Sequence, residues 1–344
     1  MRDMRHPWTW AGAVGLAFGA AAAAGQRRHM LRIAADPENE TLRAPASGTP
    51  AEVSSRDGTH IHAETFGPED AATVVLVHGW TEMLSYWTYV IRDLTARGYR
   101  IVAYDLRGHG QSALAADHDY AIERFGEDLE AVIEACVPGN RHAVIAGHSL
   151  GAMSIAAWAA HHAVARRVSA TALINTGVGD LIAEQLLIPA PRLARGLHDA
   201  IALRGFLGAR TPLPRVSTPV SYVAARYIAF GPAATPAQIA FYERMLVLCP
   251  PDVRASIGIA MSEMDLHDAL QRLTLPTVVI AGDRDRLTPP SHARRIAQML
   301  PALEELIVLE DTGHMSPLER PGEISAALAR LVDAVAGRAG TLAA

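Results

Sequence analysis

Cysteine is scarce in this 344-residue sequence, which contains only Cys136 and Cys249. The two residues lie far apart and neither belongs to a CxxC pair or a Cys/His cluster, so the sequence indicates neither a zinc site nor a disulfide framework. Free cysteines are usually small buried apolar residues, which is the interpretation we favour. A single bridge between the two is the alternative.

Charged residues are also few, at 19% of the chain, and no dense run of basic residues is present. The 31 basic and 36 acidic side chains give a formal net charge of −5. Binding along a phosphate backbone depends on clustered basic residues, so nucleic acid is not an expected partner. Half of the residues are apolar, which is typical of a globular protein with a substantial core.

One uncharged stretch lies near the N-terminus, at residues 8–25, with arginines on both sides of it. Its length reaches the lower end of what spans a bilayer, which fits a membrane anchor. Its basic start and alanine-rich end equally fit a signal peptide. A soluble helix is the third interpretation, because alanine is only weakly apolar and glycines weaken a helix. The unbroken run favours an anchor or signal, so we expect membrane association or export, with a cytoplasmic location as the alternative.

The rest of the chain divides into a linker, a core and an insertion. Residues 1–30 form the hydrophobic N-terminal segment, and the polar residues 31–54 are expected to be a linker. An α/β fold with a mostly parallel sheet and helices on both faces is predicted for residues 55–175 and 273–337. The prediction rests on apolar runs typical of buried strands, which alternate with helical periodicity and lie at 73–77, 100–104, 142–146, 170–174, 277–281 and 305–309.

Residues 176–272 interrupt this alternation, because no strand-like run occurs in them. Their helical pieces are broken by prolines and glycines, which predicts an inserted helical cap. The aromatic and methionine side chains of the cap, Met261 among them, either line an apolar pocket or pack within the cap.

A serine stands between two glycines where a predicted strand ends, in the sequence GHSLG at residues 147–151. Glycines on either side let the backbone turn sharply and hold Ser149 exposed above the sheet, with a helix directly behind it. A helix N-terminus favours negative charge, which suits an oxyanion forming there. The alternative is an ordinary turn in which Ser149 caps the helix.

A serine hydroxyl needs a base and an orienting carboxylate to act as a nucleophile. Asp285 follows one later strand and His314 follows the next. The carboxyl ends of parallel strands meet at one edge of the sheet, so these side chains are expected to lie near Ser149. The chain order of serine, acid and histidine is that of one hydrolase architecture, and a catalytic triad is predicted.

An acyl-transfer site also needs two backbone N–H groups directed at the developing oxyanion. One comes from the residue after the nucleophile and one from the loop after an earlier strand, which here ends in VVLVHGW. These positions predict the amides of Leu150 and Trp80 as the oxyanion hole. The Trp80 side chain is expected to form part of the pocket wall.

Together these motifs resemble those of α/β-hydrolase-fold enzymes that carry a helical cap and are esterase- or lipase-like. The resemblance runs from about residue 55 to 337 and rests on VHGW, YDLRGHGQS, AGHSLGAM, GDRDRLTP and TGHMSPLERP. It implies that Ser149 is the nucleophile, His314 the base and Asp285 the acid. It also implies oxyanion donors at Leu150 and Trp80.

The resemblance also indicates which aspartate is the acid of the triad. The family's acid stands three residues after the glycine and four before the proline of GDRDRLTP, which favours Asp285 over Asp283. Asp180 is a weaker candidate, for relatives that take the acid from the preceding strand. A structural role is implied for His78.

The expected function is therefore that of a serine hydrolase that cleaves a carboxylic ester through an acyl-enzyme. A lipid-like ester is one candidate substrate. We expect a small-molecule acyl substrate in contact with Trp80, Met153 and Met261, and neither metal nor cofactor. The same triad also supports thioesterase, lactonase, carbon–carbon hydrolase and cofactor-free perhydrolase chemistry. The alternative from another class is a non-catalytic ligand-binding protein with this fold.

Overall fold

A computed structural model describes residues 7–139, 141–162, 166–181 and 208–343 of the chain. The elements below are numbered in chain order through these residues. One sheet contains eight strands. The strands are β1 (Thr49–Ser54), β2 (His60–Phe66), β3 (Thr73–Val77), β4 (Arg100–Tyr104), β5 (Ala143–His148), β6 (Val168–Ile174), β7 (Thr277–Gly282) and β8 (Leu303–Leu309).

Helices precede the sheet, alternate with its strands and occur in the segment between β6 and β7, and this last group is called the cap below. They are α1 (Pro7–Ala34), α2 (Glu38–Arg43), a 3-10 helix (Leu84–Trp87), α3 (Thr88–Ala96), α4 (Ile122–Cys136), α5 (Leu150–His161), α6 (Pro219–Ala229), α7 (Pro236–Leu248), α8 (Pro251–Glu263), α9 (His267–Gln271), α10 (Pro290–Met299), α11 (Ser316–Glu319) and α12 (Pro321–Ala343).

The strand order is β1-β2-β4-β3-β5-β6-β7-β8. β1 and β2 are antiparallel to their neighbours, and the other six strands, β3 to β8, are parallel to one another. Adjacent residues of β5 belong to different hydrophobic clusters, Val144 to one and Ile145 to the other. Side chains alternate across a strand, so each face of the sheet has its own core. The predicted α/β fold, with a mostly parallel sheet and helices on both faces, is confirmed.

The predicted linker at residues 31–54 is wrong, because this segment contains α2 and β1. β1 pairs antiparallel with β2, from Thr49 opposite Thr65 to Ser54 opposite His60. Val53 is its only buried residue. An edge strand that buries so little carries no alternating apolar pattern, which is why its sequence reads as a polar loop. The folded sheet therefore begins at Thr49 and not at residue 55.

The described residues between β6 and β7 form helices α6 to α9 and no strand. Residues 182–207 of the predicted cap lie outside the described residues. Thr218 and Thr235 each form a capping box at the start of a helix, with Pro219 and Pro236 as the first helical residues. Proline lacks the N–H that a first helical turn leaves unpaired, so these prolines mark helix starts.

Helix α1 packs against the cap helices α6 and α7. The Gln26 side chain donates to the Ser217 carbonyl at 2.7 Å, and His29 Nε2 lies 2.8 Å from Ser217 Oγ. The rings of His29 and Tyr222 meet edge to face, 5.0 Å apart. Beyond α1, the Asp36 carboxylate accepts the Ala237 amide at the start of α7, at 2.9 Å. The N-terminal region thus lies on the cap.

Within the described ranges, no helix on its own has the length and apolar character that a membrane crossing requires. Helices α7 and α8 meet the requirement only as a pair bent by 99°.

Both cysteines are free and buried, so the alternative of a bridge between Cys136 and Cys249 is wrong. Burial raises the pKa of both thiols, that of Cys249 to about 12. A raised pKa keeps a thiol protonated and unreactive, so the two residues act as apolar packing groups.

Candidate active site

The serine of GHSLG lies in a sharp turn between β5 and α5. Ser149 has φ 50° and ψ −115°, a conformation that non-glycine residues rarely adopt. A Cβ at Gly151 would lie 2.2 Å from the Val77 carbonyl oxygen, and one at Gly147 would lie 2.5 Å from the Ala152 amide. Only glycine therefore fits on either side, where α5 starts against the ends of β3 and β5.

Asp285 and His314 lie in the loops after β7 and β8, and the structure brings them together. His314 Nδ1 donates to Asp285 Oδ2 at 2.8 Å, and both side chains are buried. Four further donors hold the Asp285 carboxylate, each at 2.9 Å: Asn175 Nδ2, the Leu287 and Thr288 amides, and Thr288 Oγ1. A carboxylate only accepts hydrogen bonds, so the proton lies on His314 Nδ1 and Nε2 is left as the base.

Electrostatics favours the charged form of both partners. Burial opposes the charge on Asp285, but the charge and hydrogen bond of His314, together with the hydrogen bonds from Asn175 and Thr288, outweigh it and lower the carboxyl pKa. Burial likewise opposes a charge on His314, yet the Asp285 carboxylate raises the imidazole pKa above 6.5, with smaller contributions from Glu82 and Glu319. The pair can therefore stabilise an imidazolium that forms during a reaction.

The other candidate acids lie elsewhere. Asp180 is exposed and its carboxylate lies 3.6 Å from Arg295. Asp283 accepts the Thr312 amide at 3.1 Å and so holds the loop that leads to His314. Of the three aspartates, Asp285 is the one that the structure places against His314.

Sequence reasoning missed Asn175, which directly follows β6. Its φ of 45° turns the chain away from the strand, a conformation that asparagine tolerates better than most residues. Its amide donates to Asp285 Oδ2 at 2.9 Å and to the Gly313 carbonyl at 3.2 Å, and its oxygen accepts from the Ser316 hydroxyl. Asn175 thus fixes the acid and the histidine loop together. Its position after a buried strand was the one available signal.

The predicted oxyanion donors belong to the residue after Ser149 and to the loop that passes beside it, since a Cβ at Gly79 would lie 3.1 Å from Ser149 Cβ. Leu150 is the first residue of α5, and Trp80 lies in the loop after β3. Within the described part of the chain, neither backbone amide donates to a protein acceptor. The Trp80 indole donates to the Arg254 carbonyl of α8 at 3.1 Å, which places its ring between core and cap.

His78 holds the Trp80 loop in place, as the resemblance implies. Its Nδ1 donates to the Gly79 carbonyl at 2.8 Å and its Nε2 accepts the Leu106 amide at 2.9 Å. Burial and the neighbouring His109 lower the pKa of His78 well below its usual value, so the ring stays neutral as these bonds require. Across the described ranges, no group of three or more His, Cys, Asp and Glu side chains could hold a metal ion.

A cavity of about 480 Å³ lies between the core and the cap. This size falls within the usual range for small-molecule sites. Ser149 and His314 line it, and so do the predicted substrate contacts Trp80, Met153 and Met261. Most of the remaining lining is apolar and comes from α6, α7 and the loop before α6. The cap therefore supplies much of the surface that a substrate would meet.

A sequence profile of the Alpha/beta hydrolase family matches residues 74–327, from β3 into α12. The chain belongs to the alpha/beta hydrolase family. The matched range includes the Ser149 turn, the loops of Asp285 and His314, and helices α6 to α9.

Known α/β hydrolases resemble this one over most of their length. A bifunctional esterase/perhydrolase of Acinetobacter calcoaceticus is 28% identical over 254 residues, which cover 69% of this chain and 83% of that protein. An esterase structure from Exiguobacterium antarcticum has a TM-score of 0.67 at 23% identity and covers 83% of this chain and 100% of its own. The structure of a bacterial membrane phospholipase A has a TM-score of 0.65 at 23% identity and covers 96% of this chain and 99% of its own.

Proposed function

We propose that this α/β hydrolase is a serine hydrolase that cleaves carboxylic esters through an acyl-enzyme on Ser149. The observation that carries the proposal is the shared cavity. Ser149, in its strained turn, and His314, held by Asp285 at 2.8 Å, line the same apolar space. A nucleophile, an oriented base and two backbone donors are the parts that acyl transfer needs.

The reaction follows from these positions. His314 Nε2 takes the proton of the Ser149 hydroxyl as Oγ bonds to the ester carbonyl, and the amides of Trp80 and Leu150 stabilise the oxyanion. The carbon–oxygen bond to the alcohol then breaks, and the alcohol leaves with the proton from His314. Water gives a proton to His314 and attacks the acyl-enzyme, and the acid is released as Ser149 regains its proton.

A lipid-like ester is the substrate class that we favour. The cavity wall is mainly apolar, so a hydrocarbon chain would gain affinity with each buried methylene, by about 0.8 kcal/mol. The match with the membrane phospholipase A leaves out only 4% of this chain, so part of α1 lies within it. We propose that residues 8–25 bring the enzyme to a membrane and its cavity to the lipid substrates there.

Chain length tests this substrate class. Across nitrophenyl esters from acetate to dodecanoate, kcat/KM should rise at least about tenfold, because longer chains bury more apolar surface in the cavity. A Leu213→Glu change in the cavity wall should abolish much of this preference and leave acetate hydrolysis nearly unchanged. A sharp preference for acetate in the unaltered enzyme would refute a lipid-like substrate.

Covalent labelling tests the serine mechanism independently of the substrate. A fluorophosphonate should modify the folded protein with one group per chain, and peptide mapping should place it on Ser149. Heat-denatured protein is the control and should not react. If the folded protein stays unlabelled, the non-catalytic ligand-binding alternative gains support.

Perhydrolysis is the second candidate, favoured by the esterase/perhydrolase relative. In this reaction hydrogen peroxide replaces water in attacking the acyl-enzyme, and a peracid is released in place of the acid. The enzyme, acetate and hydrogen peroxide together would form peracetic acid, which a coupled halide oxidation detects. Release of acetic acid without peracid from an acetate ester in peroxide would eliminate this candidate.

The activity should depend on the protonation of His314. Because Asp285 raises the imidazole pKa, kcat/KM should increase with pH and reach half its maximum above pH 6.5. Below that midpoint His314 is protonated and cannot accept the serine proton. A pH profile of kcat/KM for a soluble ester measures the midpoint, and a value below 6.5 would contradict the coupling to Asp285.

A further inference from the structure

A second buried acid lies beside the site, and the mechanism above does not use it. Glu82 follows the Trp80 loop, is 2% exposed and lines the cavity. Its Oε2 accepts the Gly79 amide at 2.5 Å, and its Oε1 lies 3.0 Å from His148 Nδ1. The carboxylate thus bonds to the loop that carries one oxyanion donor and to the residue directly before Ser149.

His148 continues this chain of bonds to the catalytic histidine. Its ring is fully buried, and its Nε2 donates to the His314 carbonyl at 2.8 Å. The Tyr86 hydroxyl lies 3.4 Å from the same nitrogen. Both ring nitrogens therefore face oxygen atoms, Nδ1 those of the Glu82 carboxylate and Nε2 that of the His314 carbonyl. A continuous chain of hydrogen bonds thus runs from Gly79 through Glu82 and His148 to His314.

We infer that Glu82 and His148 are positioning residues. They fix the relative positions of three segments, which are the Trp80 loop after β3, the turn at Ser149 and the His314 loop after β8. This inference rests on the proposed function. Gly79 is fixed at both ends, since Glu82 accepts its N–H and His78 donates to its carbonyl. That carbonyl shares a peptide plane with the Trp80 N–H. The direction of the oxyanion donor is thereby set from the same carboxylate that holds His148.

The use of polar groups for this purpose has a physical reason. Buried polar groups contribute little net stability compared with apolar groups of the same volume, because their desolvation cost offsets their attraction. Hydrogen bonds do fix direction, however, and an oxyanion hole depends on donors placed to within a few tenths of an ångström. The bonds from Glu82 and His148 supply this orientation.

Substitution of Glu82 by glutamine tests the role with almost no change in shape. A glutamine has a single acceptor oxygen and must turn its NH₂ toward either the Gly79 amide or His148 Nδ1. With the NH₂ toward Gly79, that amide loses its acceptor; with the NH₂ toward His148, the one remaining oxygen is bound to Gly79 and no longer fixes the His148 ring. Either change loosens the chain of bonds that directs the Trp80 donor, and kcat for a soluble ester should fall about 10- to 100-fold. KM should stay within about twofold, because the oxyanion interaction is made mainly in the transition state.

Three comparisons separate positioning from general stability. Asp128→Asn alters another fully buried carboxylate, bound to Arg107 at 2.6 Å and outside the cavity lining. It should lower Tm without changing kcat of the folded enzyme. His148→Gln should lower kcat as Glu82→Gln does. The double variant Glu82→Gln/His148→Gln should be no slower than the worse single variant by more than about threefold, because the two residues act as one unit.

The outcomes are distinct. An unchanged kcat in a folded Glu82→Gln enzyme would overturn the inference, as would losses in the two single variants that multiply in the double variant. If Glu82→Gln does not fold, His148→Gln is the test on its own, and the inference then requires a lower kcat with KM within about twofold. An unaltered enzyme that neither hydrolyses esters nor reacts with a fluorophosphonate would overturn the proposed function and this inference with it.

Discussion

Ser149→Ala should lower kcat for ester hydrolysis by about 10⁵-fold or more and abolish fluorophosphonate labelling. The change removes one hydroxyl and nothing else. Alanine and serine share a Cβ, so the backbone strain at φ 50° is the same in both proteins. Tm should therefore be nearly unchanged, and circular dichroism should show the same fold. Steady-state kinetics with a soluble nitrophenyl ester measures the effect.

The matched control for this variant is Ser154→Ala, which removes a buried hydroxyl on α5, the helix that follows Ser149. Ser154 Oγ donates to the Leu150 carbonyl at 2.8 Å and does not line the cavity. This control should keep kcat within a few-fold. Residual activity of Ser149→Ala above one per cent of the unaltered enzyme would mean that another residue carries the acyl group.

Asp285→Asn should lower kcat by about 10⁴-fold, the second largest effect that we expect. Both oxygens of the carboxylate face donors, so an amide NH₂ in either position meets an N–H or O–H group. With the NH₂ toward His314, the imidazole must carry its proton on Nε2 and cannot act as a base. With the NH₂ in the other position, it opposes the amides of Leu287 and Thr288.

Asp283→Asn is the control for the acid, because Asp283 lies in the same loop, where its carboxylate accepts the Thr312 amide and lies 3.6 Å from Arg284. Its kcat should fall by no more than about threefold. Asp180→Asn covers the other candidate and should be equally mild. If Asp180→Asn proved the damaging change and Asp285→Asn the mild one, the acid would have been assigned to the wrong strand.

Much of the fold could be predicted because the central strands are buried on both faces. β3 and β4 have the predicted bounds of 73–77 and 100–104, since a strand covered on both sides is an unbroken apolar run. β1 could not be predicted in this way. It is an edge strand with one buried residue, and its pairing with β2 depends on backbone hydrogen bonds that leave no pattern in the side chains.

The site residues likewise fall into those that the sequence pattern predicts and those that it does not. Ser149, Asp285 and His314 were predicted because each directly follows a recognisable strand, and parallel strands bring such residues to one edge. Glu82 and Asn175 were not predicted to act there. Each is a single polar residue with a partner far away along the chain, His148 for Glu82 and Asp285 for Asn175, and only the folded protein shows these contacts.

The fastening of α1 to the cap has a mechanical consequence. Its bonds from Gln26 and His29 end on Ser217, which lines the cavity, and Asp36 holds the first turn of α7. The Ser149 turn and the loops of Asp285 and His314 are instead attached to the ends of the sheet strands β5, β7 and β8. A displacement of α1 would therefore act on the part of the cavity wall that contains Ser217 and α7, and not directly on Ser149, Asp285 or His314.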